Sequence, residues 1–167
     1  MYTSIDRFVE DWRCESANTA KVMGALTNAS LSASVGEPYR TLGRVAWHIV
    51  TTIPEMMGRA GLAIGGVDEH STMPFSAMGI LSAYKEVSDG LCFQVQEQWT
   101  DATLEVEDEM YGNKWARGMT LEVLVRHEIH HRGQMTVLMR KAGLRVPGVY
   151  GPSLEEWEQM GMSPPTL

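Results

Sequence analysis
Apolar residues recur at the spacing of an amphipathic helix in four segments of the chain. The first spans about Ser4 to Leu26, with Ile5, Phe8, Val9, Trp12, Met23 and Leu26 on one stripe. Asp6 and Glu10 fall in its early turns, where acids favour the positive end of the helix dipole. A stretch rich in Ser, Gly and Pro, Asn28 to Pro38, then interrupts the pattern. A second helix is predicted over about Thr41 to Ala60, presenting Leu42, Val45, Ile49, Ile53, Met56 and Met57. Pro54 inside it deletes one backbone bond and predicts a kink. After a loop through Gly61, Gly65 and Gly66, a third helix over about Phe75 to Trp99 carries Met78, Leu81, Tyr84, Leu91, Val95 and Trp99.

Between Leu104 and Trp115 the period changes. LEVEDEMY alternates apolar and acidic residues, and Gly112 with Asn113 supplies a turn, which predicts a short hairpin or extended loop. The fourth helix is predicted from about Thr120 to Ala142; Gly143 stops it, and Arg140 and Lys141 complement the dipole. The tail reads as a loop and then a short helix capped by Ser153, with Glu156 three residues on. The expectation is one all-α domain over residues 1–167, a four-helix bundle with two sizeable crossovers.

The fourth helix reads LEVLVRHEIHHRGQMTVLM from Leu121. Its inward stripe counts out as Leu121, Leu124, His127, His131, Met135 and Leu138, so two histidines stand where the period demands apolar side chains. Residues i and i+4 stack on one face, within reach of one ion, and two imidazoles so placed make half of a metal site. Buried without partners, each would cost about 1–3 kcal/mol in lost hydration. For a third ligand His48 is best placed, beside Val45, Ile49 and Thr52 on the second helix. His70 lies in the Gly-rich loop, and His130 points about 100° away from His131 around the helix. The rival readings are a hydrogen-bonded core imidazole at His48 and a solvated histidine face on the fourth helix. HEIHH, His127 to His131, also fits the HExxH pattern in which zinc proteases use the Glu, here Glu128, as a base. No later ligand follows that pattern, and the chain is small for a protease. Glu55, two turns after His48 on the same face, is the carboxylate that the spacing places nearest, with Pro54 leaving its direction open.

Composition sets the surroundings of this chemistry. With 44% hydrophobic and 21% charged residues, the 167-residue chain suits one globular domain. No apolar run approaches the ~20 residues of a membrane span. The opening MYTSIDRFVEDW is broken by charges, unlike a signal peptide, so a cytoplasmic protein is expected. The net charge of −7 comes without a basic cluster, which argues against nucleic-acid binding. Cys14 and Cys92 lie far apart and read as reduced, half-buried thiols. Twelve methionines read as adaptable core filler.

HHRGQ, His130 to Gln134, preceded by His127, resembles the fourth-helix signature of the DinB/YfiT-like proteins. (DinB here is the DNA-damage-inducible protein of the Gram-positive type, not the polymerase of that name.) GRVAWHIV, Gly43 to Val50, is similar to the family's second-helix block around its first histidine, and VPGVYGP, Val146 to Pro152, to its tail. The resemblance runs in helix order over nearly the whole chain. It implies an up-down four-helix bundle of the DinB/YfiT-like type, often a homodimer, with one divalent metal on three histidines. These map onto His48, His127 and His131, the three that periodicity selects. Some relatives are thiol S-transferases or isomerases that use a low-molecular-weight thiol such as bacillithiol or mycothiol. Arg132 falls at the pocket rim, at the dimer face or on the exposed surface. Gln134 is a candidate donor to a ligand or to the backbone. Tyr150 either closes over the mouth of the metal site or simply packs.

Three neutral nitrogen ligands leave a coordination position open, the layout of a catalytic site. Two functions follow from different classes. One is a metal-dependent hydrolase or thiol S-transferase acting on a small-molecule substrate; the other is a metal-containing binding or stress-response protein without turnover. Zinc or nickel is the expected ion, with iron, manganese and copper also suited to imidazole or open sites.

Overall fold
The computed structural model describes residues 1–166. The elements are α1 (Ile5–Gly24), α2 (Leu42–Arg59), α3 (Ala77–Gln98), β1 (Glu107–Met110), β2 (Asn113–Ala116), α4 (Arg117–Lys141) and α5 (Leu154–Gln159). Single 3-10 turns over Asn28–Ser32 and Asp101–Glu105 begin the links that follow α1 and α3. Helices α1 and α2 each pack against both α3 and α4. The links after α1 and α3 let α1 stand opposite α2 and α3 opposite α4, while α2 and α3 are neighbours, and all four apolar stripes meet in one core. No helix is long and apolar enough to cross a membrane, among the described residues.

Several helix ends are held by residues from elsewhere in the chain, which ties the crossovers to the bundle. The Ile5 N–H that opens α1 donates to Asp101 Oδ1 at 2.8 Å, across 96 residues. Helix α3 opens on Ser76, whose Oγ accepts from Gly79 N–H, while Asn28 Oδ1 accepts from Ala77 N–H at 2.8 Å. Thr41 Oγ1 caps α2 by accepting from Arg44 N–H. These contacts satisfy donors that a helix cannot satisfy itself. Helix α2 continues through Pro54 to Arg59. At α5 only half of the expected cap forms: Glu156 accepts from Ser153 N–H, and Ser153 Oγ has no partner.

Four readings of the sequence change. Helix α3 begins at Ala77, because the Ser76 cap sets its start, so Phe75 is 96% and Met78 71% exposed. Tyr84, Leu91, Val95 and Trp99 of the expected stripe are buried, and Ala77, Ile80 and Val87 join them in place of Met78. Helix α4 begins at Arg117, three residues before Thr120, because β2 runs straight into it and Arg117 N–H donates to Val106 O. The hairpin turn consists of Tyr111 and Gly112, and Asn113 already pairs with Met110 in the ladder. Both cysteines are free; Cys92 is half-buried, but Cys14 is exposed.

The start of the chain is locked to the start of α4. Tyr2 N–H donates to Gly118 O at 3.1 Å, and a Cβ on Gly118 would collide with the Tyr2 carbonyl oxygen. Gly133, in the same helix, has open space around it. Alanine favours a helix over glycine by about 0.5–1 kcal/mol, but a collision with backbone costs about 1–3 kcal/mol. Gly118→Ala should therefore lower Tm by roughly 3–10 °C, while Gly133→Ala raises it. Thermal unfolding followed by circular dichroism checks this, and shifts of the same sign would contradict the packing described.

Candidate metal centre
His127 and His131 stand one turn apart on α4 and face His48 on α2. Their ring centroids are 4.8 Å (His48–His127), 4.7 Å (His48–His131) and 4.3 Å (His127–His131) apart. One ligand atom from each lies within 4.8 Å of the others, the grouping expected from periodicity. His48 Nε2 and His127 Nε2 are 3.1 Å apart. Two nitrogens ~2.0–2.1 Å from one tetrahedral ion would be separated by about 3.3 Å, so the pair is already close to ligand spacing.

Burial lowers the pKa of all three imidazoles, and that of His48 and His127 to about 4. The positive charge of Arg40 adds to the effect at each ring. All three rings are therefore neutral near pH 7, with lone pairs available to a cation. Gln134 Oε1 accepts from His131 Nδ1–H at 2.7 Å. This selects the tautomer that leaves His131 Nε2 as the free acceptor, and it makes Gln134 an acceptor rather than the expected donor. Gln134 also spans to His130 Nε2, but His130 is exposed and lies outside the triad. His70 is likewise exposed, in the loop between α2 and α3. The donor set fits a divalent ion: three neutral nitrogens converge, and one is oriented by a hydrogen bond at its back.

Glu55 does turn toward this centre. It lines a cleft of about 470 Å³ with His48, Thr52, His127 and Tyr111. Its Oε1 accepts from Arg59 Nε and its Oε2 from the Tyr111 hydroxyl, both at 2.6 Å. Tyr111 was not anticipated. It occupies the first position of the hairpin turn at φ 53°, a left-handed conformation costly for a side chain that is not glycine, and Gly112 follows at φ 80°. That conformation sits where the ring lies 5.0 Å from the Arg59 guanidinium and the hydroxyl meets Glu55. The one signal in the sequence was a tyrosine beside a turn glycine.

Three other candidates face elsewhere. Glu128 is 1% exposed and accepts from Thr19 at 2.8 Å and Tyr84 at 2.7 Å, leaving Oε2 without a partner. Burial raises its pKa to about 7 against the pull of those two hydroxyls. It belongs to the core and not to a protease-like site. Arg132 is buried rather than exposed or at a rim, 2% accessible, bonded to Glu15, Thr19 and Tyr150. Tyr150 does not close the metal mouth; its hydroxyl joins Arg132 and Glu15, 2.7 Å from each.

The model of the DinB family matches residues 1–164, and the chain belongs to that family. It is 38% identical to the uncharacterised protein YrdA of Bacillus subtilis over the full length of both chains. Among solved structures it resembles a DinB-like protein from Bacillus cereus at 42% identity and a TM-score of 0.86, covering 90% of this chain and 100% of that one. A second DinB-like protein, YjoA of Bacillus subtilis, shares the fold at 19% identity and a TM-score of 0.67, over 86% of this chain and 97% of that one.

Because protons compete with metal for the same lone pairs, the depressed pKa values predict how loading follows pH. Free imidazoles protonate through ~6.5. With His48 and His127 near 4, a loaded divalent ion should be retained at pH 5.5 and released only toward pH 4. A chromophoric chelator titration checks this; release centred near 6.5 would show that the imidazoles are not held as described.

Proposed function
We propose that the protein is a metal-dependent enzyme of the thiol S-transferase type, in which a low-molecular-weight thiol is activated at His48, His127 and His131 and attacks a small electrophile. The observation that carries this reading is the carboxyl group of Glu55 in the same cleft as two of the three imidazoles. A purely structural metal site needs no base at its open side. A second cleft, about 490 Å³ and lined by His131 and Gln134 with Val35, Tyr39, Val137 and Leu138, approaches the triad as well. Separate clefts at one centre leave room for two organic substrates, which favours transfer to a thiol over hydrolysis. Hydrolysis would use the same groups with water in place of the thiol.

A divalent ion, zinc or nickel on this all-imidazole set, would supply Lewis acidity that lowers the pKa of the nucleophile beside it. The chain's own residues do the rest. His131 is held in its ligating tautomer by Gln134. Glu55 is within the cleft to accept the proton that the nucleophile loses, and general-base assistance of this kind contributes roughly 10²–10⁴-fold. Arg59 and Tyr111 fix the direction of that carboxyl group, and each leaves it a lone pair to spare.

Turnover of a chlorodinitrobenzene with and without added thiol, alongside a chromogenic ester, tests the reading. His131→Ala should lose metal and thiol conjugation together, with the helix intact. Glu55→Gln should keep the metal and lose about 10²–10⁴-fold in rate. Equal rates for wild type and His131→Ala would sink the metal-centred mechanism, and ester cleavage without a thiol requirement would make the protein a hydrolase.

Family membership also supports a homodimer as the assembly we propose. Light scattering at micromolar concentration should return about twice the mass of one chain, and a single-chain mass would refute it.

A further inference from the structure
Two arginines beside the triad stand without partners. Arg40 lines both the apolar groove that reaches His131 and a third cleft, apart from that of Glu55, which reaches His48 along Trp47 and Glu69. Arg44, one turn along α2, lines the second of these with Trp47. Arg59, Arg117, Arg126 and Arg132 all meet carboxylates. Among the described residues, neither Arg40 nor Arg44 makes an ion pair or a side-chain hydrogen bond; only the Arg44 backbone N–H is engaged, by the Thr41 cap. Carboxylates are not scarce, with 21 acidic against 14 basic residues. Glu69 shares the cleft, but its Oε1 faces His70 at 3.7 Å.

The placement is also unfavourable locally. Both arginines lie at the N-terminal end of α2, whose first turn carries no acid, and there the helix dipole disfavours cations. Local rules broken without compensation inside the fold mark functional positions. The groove beside them holds exposed Val35, Tyr39 and Val137, apolar surface that a bound molecule would cover.

Building on the reading of the triad as a metal enzyme's centre, we propose that Arg40 and Arg44 are the anion-holding arm of that site and select a small organic acid. Its carboxylate meets the guanidiniums, and its apolar body lies along Val35, Tyr39, Val137 and Leu138. A guanidinium presents parallel N–H donors that match a carboxylate two at a time. The groove's volume of about 490 Å³ is that of a small-molecule site.

Calorimetry on the metal-loaded full-length protein tests this with phenylpropionate and its neutral amide, which share shape and differ in charge. Wild type should bind the acid at least about tenfold more tightly, with a preference that shrinks as salt rises. The double variant Arg40→Gln/Arg44→Gln should bind acid and amide alike. Both positions are exposed, and an unchanged melting profile confirms the fold. No preference in wild type for this acid or for mercaptopropionate, or one that survives in the double variant, overturns the proposal; in the latter case the metal alone attracts the acid. Mercaptopropionate and its amide repeat the comparison for a thiol. An arginine-dependent preference with either acid supports the arm and assigns the carboxylate to the thiol or to its electrophile. His131→Ala separates this from the metal reading: the acid preference should persist there after the metal is lost. If wild type holds no metal yet shows an arginine-dependent preference, the arm stands and only the metal-centred function falls.

Discussion
His127 and His131 meet His48 at the packing interface of α2 and α4, and burial there keeps all three imidazoles neutral. The candidate metal centre depends on that meeting, which in turn depends on the rotation of α4 about its own axis. Glu128 and Arg132 each follow a ligand histidine by one residue, so they form a second row about 100° around the same helix. That row is anchored away from the metal side. Glu128 is bonded to Thr19 of α1 and Tyr84 of α3, and Arg132 to Glu15 and Thr19 of α1. Turning α4 to move the histidines would break these buried polar contacts, whose loss costs more than that of exposed ones. The core network on one face thus holds the ligand geometry on the other.

The hairpin between α3 and α4 completes the site from a different direction. A two-residue turn demands positive φ at both positions, and Gly112 meets that demand at little cost. Tyr111 does not, and strain of this kind persists only where the surroundings hold it. Here the surroundings are Glu55 and Arg59 on α2, bonded to its hydroxyl and facing its ring. A strained residue at the tip of a small sheet therefore fixes the direction of the carboxyl group nearest the triad. The surface around the centre is divided: carboxyl groups and a phenol on the side of His127, the unpaired Arg40 guanidinium and apolar side chains toward His131.

Periodicity made the four helices and the ligand triad legible, because an imidazole on an apolar stripe contradicts its neighbours and needs a reason. It also put Glu55 on the face of His48, and Glu55 lines a cleft with His48 and His127. The same method put Met78 on the buried row of α3 beside Tyr84, Leu91, Val95 and Trp99, which do face inward, because it is as apolar as they are, and it started the helix at Phe75 where the Ser76 cap starts it at Ala77. Local spacing made legible four helices, most of their inward faces and the three histidines that could hold a metal ion, because each follows from a period shorter than one helix. The tertiary fold settled the rest. It set Arg132 in the core, moved Tyr150 to Glu15, brought Tyr111 across 56 residues to Glu55, and left Arg40 and Arg44 unpaired. Those outcomes rest on contacts between elements far apart in the chain, and no local period encodes which polar group will be opposite when two helices close.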